Sequence, residues 1–179
     1  MNRLVAFVGP IGSGKSVCAD YLCSHYGYTK IKFAGPLKMM LKQMGLTDEH
    51  LEGALKEQPC DILAGKTPRW AMQTLGTEWG RDLISENLWG NVWAHRAKQL
   101  LLTQPVVTDD CRFQNEAERV QRMGGMVVRV SPPDSHSTGT AANHSSEQYD
   151  YEVDMVIKNP GDNSLHKALD FLATGKQKV

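Results

Sequence analysis

The chain has 179 residues, enough for one domain with a continuous core, and its 20 lysines and arginines balance its 20 aspartates and glutamates. Because a neutral chain lacks the positive field that holds a long polyanion, we expect no nucleic-acid polymer as a partner. No apolar run reaches the length of a membrane span, and the four scattered cysteines form neither a CxxC pair nor a zinc motif. We therefore expect a cytoplasmic protein with reduced thiols and no membrane association.

The first half of the chain predicts two strands separated by a glycine loop and a helix. The predicted elements are a strand at 3–8, the loop GPIGSGKS, a helix closed by Gly27, a strand at 28–34, a helix from Pro36 to Gly45, and a short helix with a loop at 46–67.

The second half alternates helices with short apolar strands. The predicted elements are helical stretches at 68–85 and 89–102, strands at 105–110, 126–130 and 154–159, a helix at 113–125, a loop at 131–148 and a closing helix. Alternation of this kind favours a parallel α/β sheet. We predict a single P-loop domain over 1–179, with a central parallel sheet of about five strands, helices on both faces, a helical insertion at 35–103 and a short lid at 131–148.

The loop GPIGSGKS matches the phosphate-binding pattern G-x-x-x-x-G-K-S and lies between a predicted strand and a predicted helix, as that pattern requires. Glycines let backbone N–H groups surround a phosphate, a lysine reaches the β and γ phosphates, and a serine coordinates magnesium. A glycine turn with an incidental lysine is the alternative, which the flanking strand and helix disfavour. The predicted ligands of ATP and Mg²⁺ here are Gly9, Gly12, Ser13, Gly14, Lys15, Ser16 and Val17.

Two carboxylates follow the apolar run VVT, where a P-loop enzyme holds its magnesium shell. We predict Asp109 and Asp110 as metal-site residues together with Ser16, and alternation alone does not decide which carboxylate faces the metal. An aspartate that simply forms a turn after a strand is the alternative.

Two longer segments resemble the bacteriophage deoxynucleoside monophosphate kinases, relatives of the cellular nucleoside monophosphate kinases and of dephospho-coenzyme A kinase. The segments are QTLGTEWGRDLISENLW at 73–89 and TDDCRFQNEAERVQRMGG at 108–125, and the likeness extends over 4–172. The resemblance implies ATP-dependent phosphorylation of deoxynucleoside monophosphates to diphosphates for DNA precursor supply. It also suggests a homodimer, and host-cell cytoplasm if the chain is of phage origin.

The same resemblance implies where the acceptor binds. A monophosphate is dianionic, so its pocket needs cations that form charge-assisted bonds. The candidates in the insertion are the cations Lys38, Arg69 and Arg81 for the phosphate, and Gln73, Glu78 and Trp79 for the base or sugar. The alternatives are ordinary solvated helix residues for the arginines and core packing for the tryptophans.

Arg112 resembles the arginine of the family's D-D-x-R-F segment, and we predict Lys15, Asp110 and Arg112 as the catalytic residues. A salt bridge from Arg112 to Glu116 is the alternative, and Glu116 could equally cap the helix that follows. The lid contains neither lysine nor arginine, so core arginines supply its charge or the lid mainly excludes water. Asn159, at the end of the last strand, is a candidate adenine contact.

Two other functions remain open from the sequence. A hydroxyl acceptor, such as the ribose of dephospho-coenzyme A, would need Asp109 or Asp110 as a base. A nucleotide-dependent switch would hydrolyse ATP slowly and would lack a second cationic pocket.

Overall fold

The computed structural model describes residues 2–132, 151–162 and 164–175. Its five strands form one parallel sheet in the order β2-β3-β1-β4-β5. The strands are β1 (Leu4–Val8), β2 (Thr29–Lys30), β3 (Val106–Thr108), β4 (Met126–Ser131) and β5 (Met155–Lys158). The predicted α/β class with a parallel sheet of about five strands is confirmed.

The helices connect and cover these strands. They are α1 (Lys15–Tyr26), α2 (Gly35–Gln43), α3 (Asp48–Leu51), α4 (Pro68–Thr74), α5 (Leu88–Leu101), α6 (Gln114–Arg122) and α7 (Ser164–Thr174). Two 3₁₀ turns lie at Ala54–Glu57 and Asp61–Leu63, and a π-helix extends α4 over Leu75–Ile84. Within the described ranges, no helix has both the length and the apolar character needed to cross a membrane.

The chain divides into two compact units. The first, Met1–Lys32 with Ala94–Val179, contains the sheet. Val5 and Phe7 of β1 point into a core shared with Leu22 of α1 and Leu169 of α7. Leu4 lies on the other face of β1, close to Val120 of α6. Neighbouring strand residues point to opposite faces of a sheet. Since α1 and α7 pack on one face and α6 on the other, helices cover both sides of this sheet.

The second unit, Phe33–Trp93, is helical and has its own core. That core is formed by Leu37, Leu41, Leu46, Leu51, Ala71 and Trp89. The division of one kinase domain into an insertion at 35–103 and a lid at 131–148 stays a prediction. Most of the predicted lid lies outside the described residues.

Two predicted elements differ from the structure. The strand predicted at 28–34 is paired only over Thr29–Lys30, because Ala34 already has helical backbone angles and α2 begins at Gly35. The helical stretch predicted at 68–85 changes at residue 75 from an α-helix to a wider π-helix. Gly76 and Gly80 therefore lie within continuous helical backbone and do not interrupt it.

Candidate active site

The loop between β1 and α1 depends on glycine at three positions. Gly9, Gly12 and Gly14 have φ angles of 136°, 78° and 99°, which side chains other than glycine rarely adopt. A Cβ on Gly9 would lie 2.3 Å from the carbonyl oxygen of Val130, and one on Gly14 would lie 2.3 Å from Nδ2 of Asn159. The tight curvature of this loop therefore requires the glycines of the motif.

The lysine and serine of the motif open α1. Nζ of Lys15 donates hydrogen bonds of 2.7 Å to the carbonyl oxygens of Gly9 and Pro10, so the ammonium group lies over the start of the loop. Ser16 and Val17 are exposed in the first helical turn. Because N–H groups in the first turn have no carbonyl partner within the helix, this turn can bind an anion.

Asn159 ties the loop to the end of β5. Its Nδ2 donates to the carbonyl oxygen of Ser13 at 2.9 Å, and its Oδ1 accepts from the N–H of Gly161 at 3.0 Å. Ser13 is fully buried. Asn159 thus holds the phosphate loop in place, whereas its predicted contact with adenine stays a prediction.

The two aspartates leave the sheet at the edge where the glycine loop begins. Strands β1 and β3 are parallel, with Ala6 opposite Thr108. Asp109 and Asp110 follow directly after Thr108, as Gly9 follows β1. Since the carboxyl ends of parallel strands meet at one edge, the structure brings the predicted metal-site carboxylates next to the predicted phosphate loop.

The two carboxylates differ in their surroundings. The Asp109 side chain is 2% exposed, and neither oxygen has a hydrogen-bond partner among the described residues. Its neighbours are the ammonium groups of Lys30, at 3.6 Å, and Lys32, at 3.9 Å. Asp110 Oδ1 accepts a hydrogen bond of 2.9 Å from Oγ1 of Thr108. The two lysines balance the charge of Asp109 without hydrogen-bonding to it, so its oxygens could accept from a cation or the water shell of a cation.

Glu116 caps α6. Its Oε2 accepts from the backbone N–H groups of Arg112, at 2.9 Å, and Phe113, at 3.2 Å. The capping alternative is therefore the one found for this carboxylate. The Arg112 side chain is exposed and has no hydrogen bond or ion pair within the described part of the chain.

The predicted acceptor residues lie in the second unit. Lys38 forms an ion pair with Glu52, and Arg69 forms one with Glu57. Arg81 is half-buried in the π-helix. Gln73 and Glu78 are exposed on α4 and the π-helix. These residues share one helical unit, but their contacts with an acceptor stay a prediction.

The tryptophans of this unit divide into packing and exposed residues. Trp89 and Trp93 are buried, and Trp93 stacks on Phe33 with ring centroids 4.4 Å apart. Trp79 is 38% exposed, and its ring centroid lies 6.1 Å from that of Trp89. Trp79 is therefore partly accessible at the surface, and its contact with a ligand stays a prediction.

Trp89 anchors the π-helix. Its Nε1 donates a 2.7 Å hydrogen bond to the carbonyl oxygen of Gly76, and a Cβ on Gly80 would lie 2.5 Å from the same nitrogen. The indole therefore occupies space that only a glycine at 80 leaves open. Sequence reasoning missed this role because both glycines looked like helix interruptions.

Lys30 and Lys32 lie beside Asp109 and were not among the predicted site residues. Burial lowers the pKa of Lys30, but a hydrogen bond to Asp20 and the negative charge of Asp109 outweigh burial and raise it. The sequence signal was a pair of lysines two positions apart at the end of a short strand. Such a pair lies on one face of an extended segment.

The buried thiols are not suited to nucleophilic chemistry. Burial raises the pKa of Cys18 to about 12. Burial, with the charges of Glu116 and Asp110, raises the pKa of Cys111 well above its usual value. With these raised pKa values, both thiols stay protonated at neutral pH. Because the thiolate is the reactive form, neither thiol is expected to act as a nucleophile.

Comparison with known proteins identifies the family. No family model matches the chain. The chain is 32% identical over 169 residues to a protein of Acanthamoeba polyphaga mimivirus named "Putative deoxynucleotide monophosphate kinase", and the match covers 87% of this chain and 88% of that protein.

Two solved structures share the fold. A shikimate kinase from Acinetobacter baumannii, in complex with shikimate, matches with a TM-score of 0.51 and 13% identity over 99% of this chain and 97% of that one. A "putative kinase" from Chloroflexus aurantiacus matches with a TM-score of 0.54 and 10% identity over 98% and 97%. With this fold and the viral relative, the chain belongs to the deoxynucleotide monophosphate kinase family and is a P-loop kinase.

Proposed function

We propose that the chain transfers the γ-phosphoryl group of ATP to the phosphate of a deoxynucleoside monophosphate, giving ADP and a deoxynucleoside diphosphate for DNA precursor supply. The observation that carries the choice of acceptor is the relationship to the mimivirus protein over 87% of the chain. The bacteriophage kinship and a homodimer, which the resemblance in sequence implies, belong to the same proposal, as does the cytoplasmic location expected from the scattered cysteines.

The loop from Gly9 to Gly14 is the proposed donor site. Its backbone N–H groups and the first turn of α1 would surround the β and γ phosphates. Lys15, whose ammonium group already lies at the loop, would move its hydrogen bonds from two carbonyl oxygens to phosphate oxygens. A charged acceptor forms stronger bonds with an ammonium group than a neutral carbonyl does, which favours that exchange.

Magnesium fits the residues present. Asp109 is a buried carboxylate whose oxygens lack hydrogen-bond donors in the described ranges, and Ser16 offers an exposed hydroxyl at the start of α1. Asp110 would orient the same shell, with Thr108 holding one of its oxygens. When bound, the ion would neutralise negative charge on the β and γ phosphates. Hard oxygen ligands of this type suit Mg²⁺.

The proposed acceptor contacts use cations that already have partners, of which Arg69 is 48% exposed and Lys38 is 17% exposed. Lys38 and Arg69 pair with glutamates that are 48% and 59% exposed. An exposed ion pair such as Arg69–Glu57 contributes only about 0–1 kcal/mol, so a dianionic phosphate would displace that glutamate at little cost. Arg81 would complete this phosphate contact, and Trp79 with Gln73 and Glu78 would contact the base or sugar.

Phosphoryl transfer requires that the two substrates are positioned and that the developing negative charge is neutralised. It needs no covalent nucleophile on the protein. A phosphate monoester is already ionised at neutral pH, so its oxygen can attack the γ-phosphorus without a general base. Lys15 and Arg112 would neutralise the charge that develops on the transferred group. Exclusion of water would keep the ATP from being hydrolysed instead.

An ADP-release assay with ATP and Mg²⁺ tests the proposal across acceptors. The acceptors are the four deoxynucleoside monophosphates, the matching ribonucleotides and dephospho-coenzyme A, each supplied separately. We expect strong stimulation by at least one deoxynucleotide. Stimulation by dephospho-coenzyme A alone would assign a hydroxyl acceptor, and ADP release that no acceptor changes would overturn the proposal.

A further inference from the structure

The glycine loop and two groups of charged residues lie at the ends of three neighbouring strands, at one edge of the sheet. The glycine loop follows β1, Asp109 follows β3, and Lys30 and Lys32 lie at the end of β2, which is next to β3. Neighbouring strands lie about 4.8 Å apart, so β2 is roughly 10 Å from β1. All these residues belong to the first unit. Along this edge a phosphate loop is followed by a carboxylate and then by a pair of cations.

The two lysines have different partners. Nζ of Lys30 lies 2.6 Å from Oδ1 of Asp20 and 3.6 Å from Oδ2 of Asp109. Nζ of Lys32 lies 3.9 Å from Oδ1 of Asp109, too far for a hydrogen bond. Within the described ranges, Lys32 has no closer carboxylate, and its side chain is 35% exposed. Lys30 is thus bonded to a surface aspartate, whereas the Lys32 ammonium can reach a solute.

We propose that Lys32 binds the phosphate of the acceptor monophosphate, an inference that rests on the proposed function. Asp109 is the only described carboxylate near Lys32, and it is the residue best suited to magnesium. If Asp109 binds a dication, the attraction between Asp109 and Lys32 is offset by the charge of that ion, and the partly exposed Lys32 ammonium can bind another anion. A dianionic phosphate that approaches the β3 side of the glycine loop supplies that anion, and the ammonium group is a compact phosphate ligand.

The structural alternative is that Lys32 only balances the buried charge of Asp109. Lys30 provides the matched control, because its ammonium also lies beside Asp109 while a second carboxylate holds it away from a ligand. A purely structural lysine would affect thermal stability in the same way at both positions. It would leave the affinity for a monophosphate unchanged.

Calorimetric titration of each deoxynucleoside monophosphate into protein saturated with Mg²⁺ and a non-hydrolysable ATP analogue separates these roles. We compare the wild type with Lys32→Ala, Lys32→Arg and Lys30→Ala, and we record thermal unfolding and the affinity for the ATP analogue for each protein. Lys32→Ala should weaken monophosphate binding roughly tenfold to a hundredfold, the effect of losing one charged hydrogen bond. Affinity for the analogue should stay within about twofold, and Lys32→Arg should restore most of the lost binding.

Two results would overturn the inference. If Lys32→Ala weakens monophosphate binding no more than Lys30→Ala, or weakens analogue binding equally, then Lys32 is not an acceptor ligand. In that case acceptor-dependent turnover by the wild type would leave the proposed function standing. If the wild type neither binds nor phosphorylates any deoxynucleoside monophosphate, both proposals fail together.

Discussion

Replacing Trp89 by phenylalanine should loosen the π-helix. The change removes the 2.7 Å hydrogen bond from Nε1 to the carbonyl oxygen of Gly76, which contributes about 0.5–1.5 kcal/mol. It also removes buried ring atoms that pack on Gly80, at a cost on the order of 1–2 kcal/mol. We therefore expect the free energy of unfolding to fall by about 1.5–3.5 kcal/mol in urea denaturation.

The same substitution should affect the acceptor more than ATP. Trp79 and Arg81 lie on the π-helix that Trp89 anchors, so the KM for the monophosphate should rise while the KM for ATP stays close to that of the wild type. Trp70→Phe is the matched control, because Trp70 is 48% exposed and the ammonium of Lys66 lies over its ring, 5.3 Å from the centroid. That control should lose less than about 1 kcal/mol. Equal losses of stability in the two variants would refute this role for Trp89.

Three further predictions concern the site. Lys15→Ala should lower kcat/KM for ATP by an amount on the order of 3–4 kcal/mol of transition-state stabilisation, and unchanged turnover in steady-state kinetics would contradict the phosphate-loop assignment. Arg81→Ala should raise the KM for the monophosphate and leave ATP binding unchanged, whereas an equal loss in both would remove Arg81 from the acceptor site. Asp109→Asn should raise the magnesium concentration needed for half-maximal activity more than Asp110→Asn does, and the reverse order in a magnesium titration would give Asp110 the main role.

Local sequence patterns predicted the parts of the structure that depend on neighbouring residues. The glycine loop needs positive φ angles at Gly9, Gly12 and Gly14, and only a sequence rich in glycine supplies them. Gly27 likewise ends α1 with a φ of 68°. The sequence could locate this loop and this helix end because the residues that determine them lie within a few positions along the chain.

Features that depend on distant contacts were not predictable in this way. The π-helix is fixed by the contact between Gly76 and Trp89, which are 13 positions apart. The environment of Asp109 follows from the pairing of β2 with β3, which places lysines from residues 30 and 32 beside it. Strand order in a sheet is a tertiary property, so the sequence alone left open which aspartate faces the metal. We propose Asp109 for this role because its oxygens lack hydrogen-bond donors in the described ranges.

Direct identification of the products tests the central claim most sharply. Wild-type protein and Lys15→Ala would be incubated with ATP, Mg²⁺ and the most stimulating deoxynucleoside monophosphate, and the nucleotides would be separated by anion-exchange chromatography. We predict that the wild type forms deoxynucleoside diphosphate in equal amount to ADP and that Lys15→Ala forms almost none. ADP accompanied by inorganic phosphate, with no deoxynucleoside diphosphate, would show ATP hydrolysis and would contradict phosphoryl transfer to this acceptor.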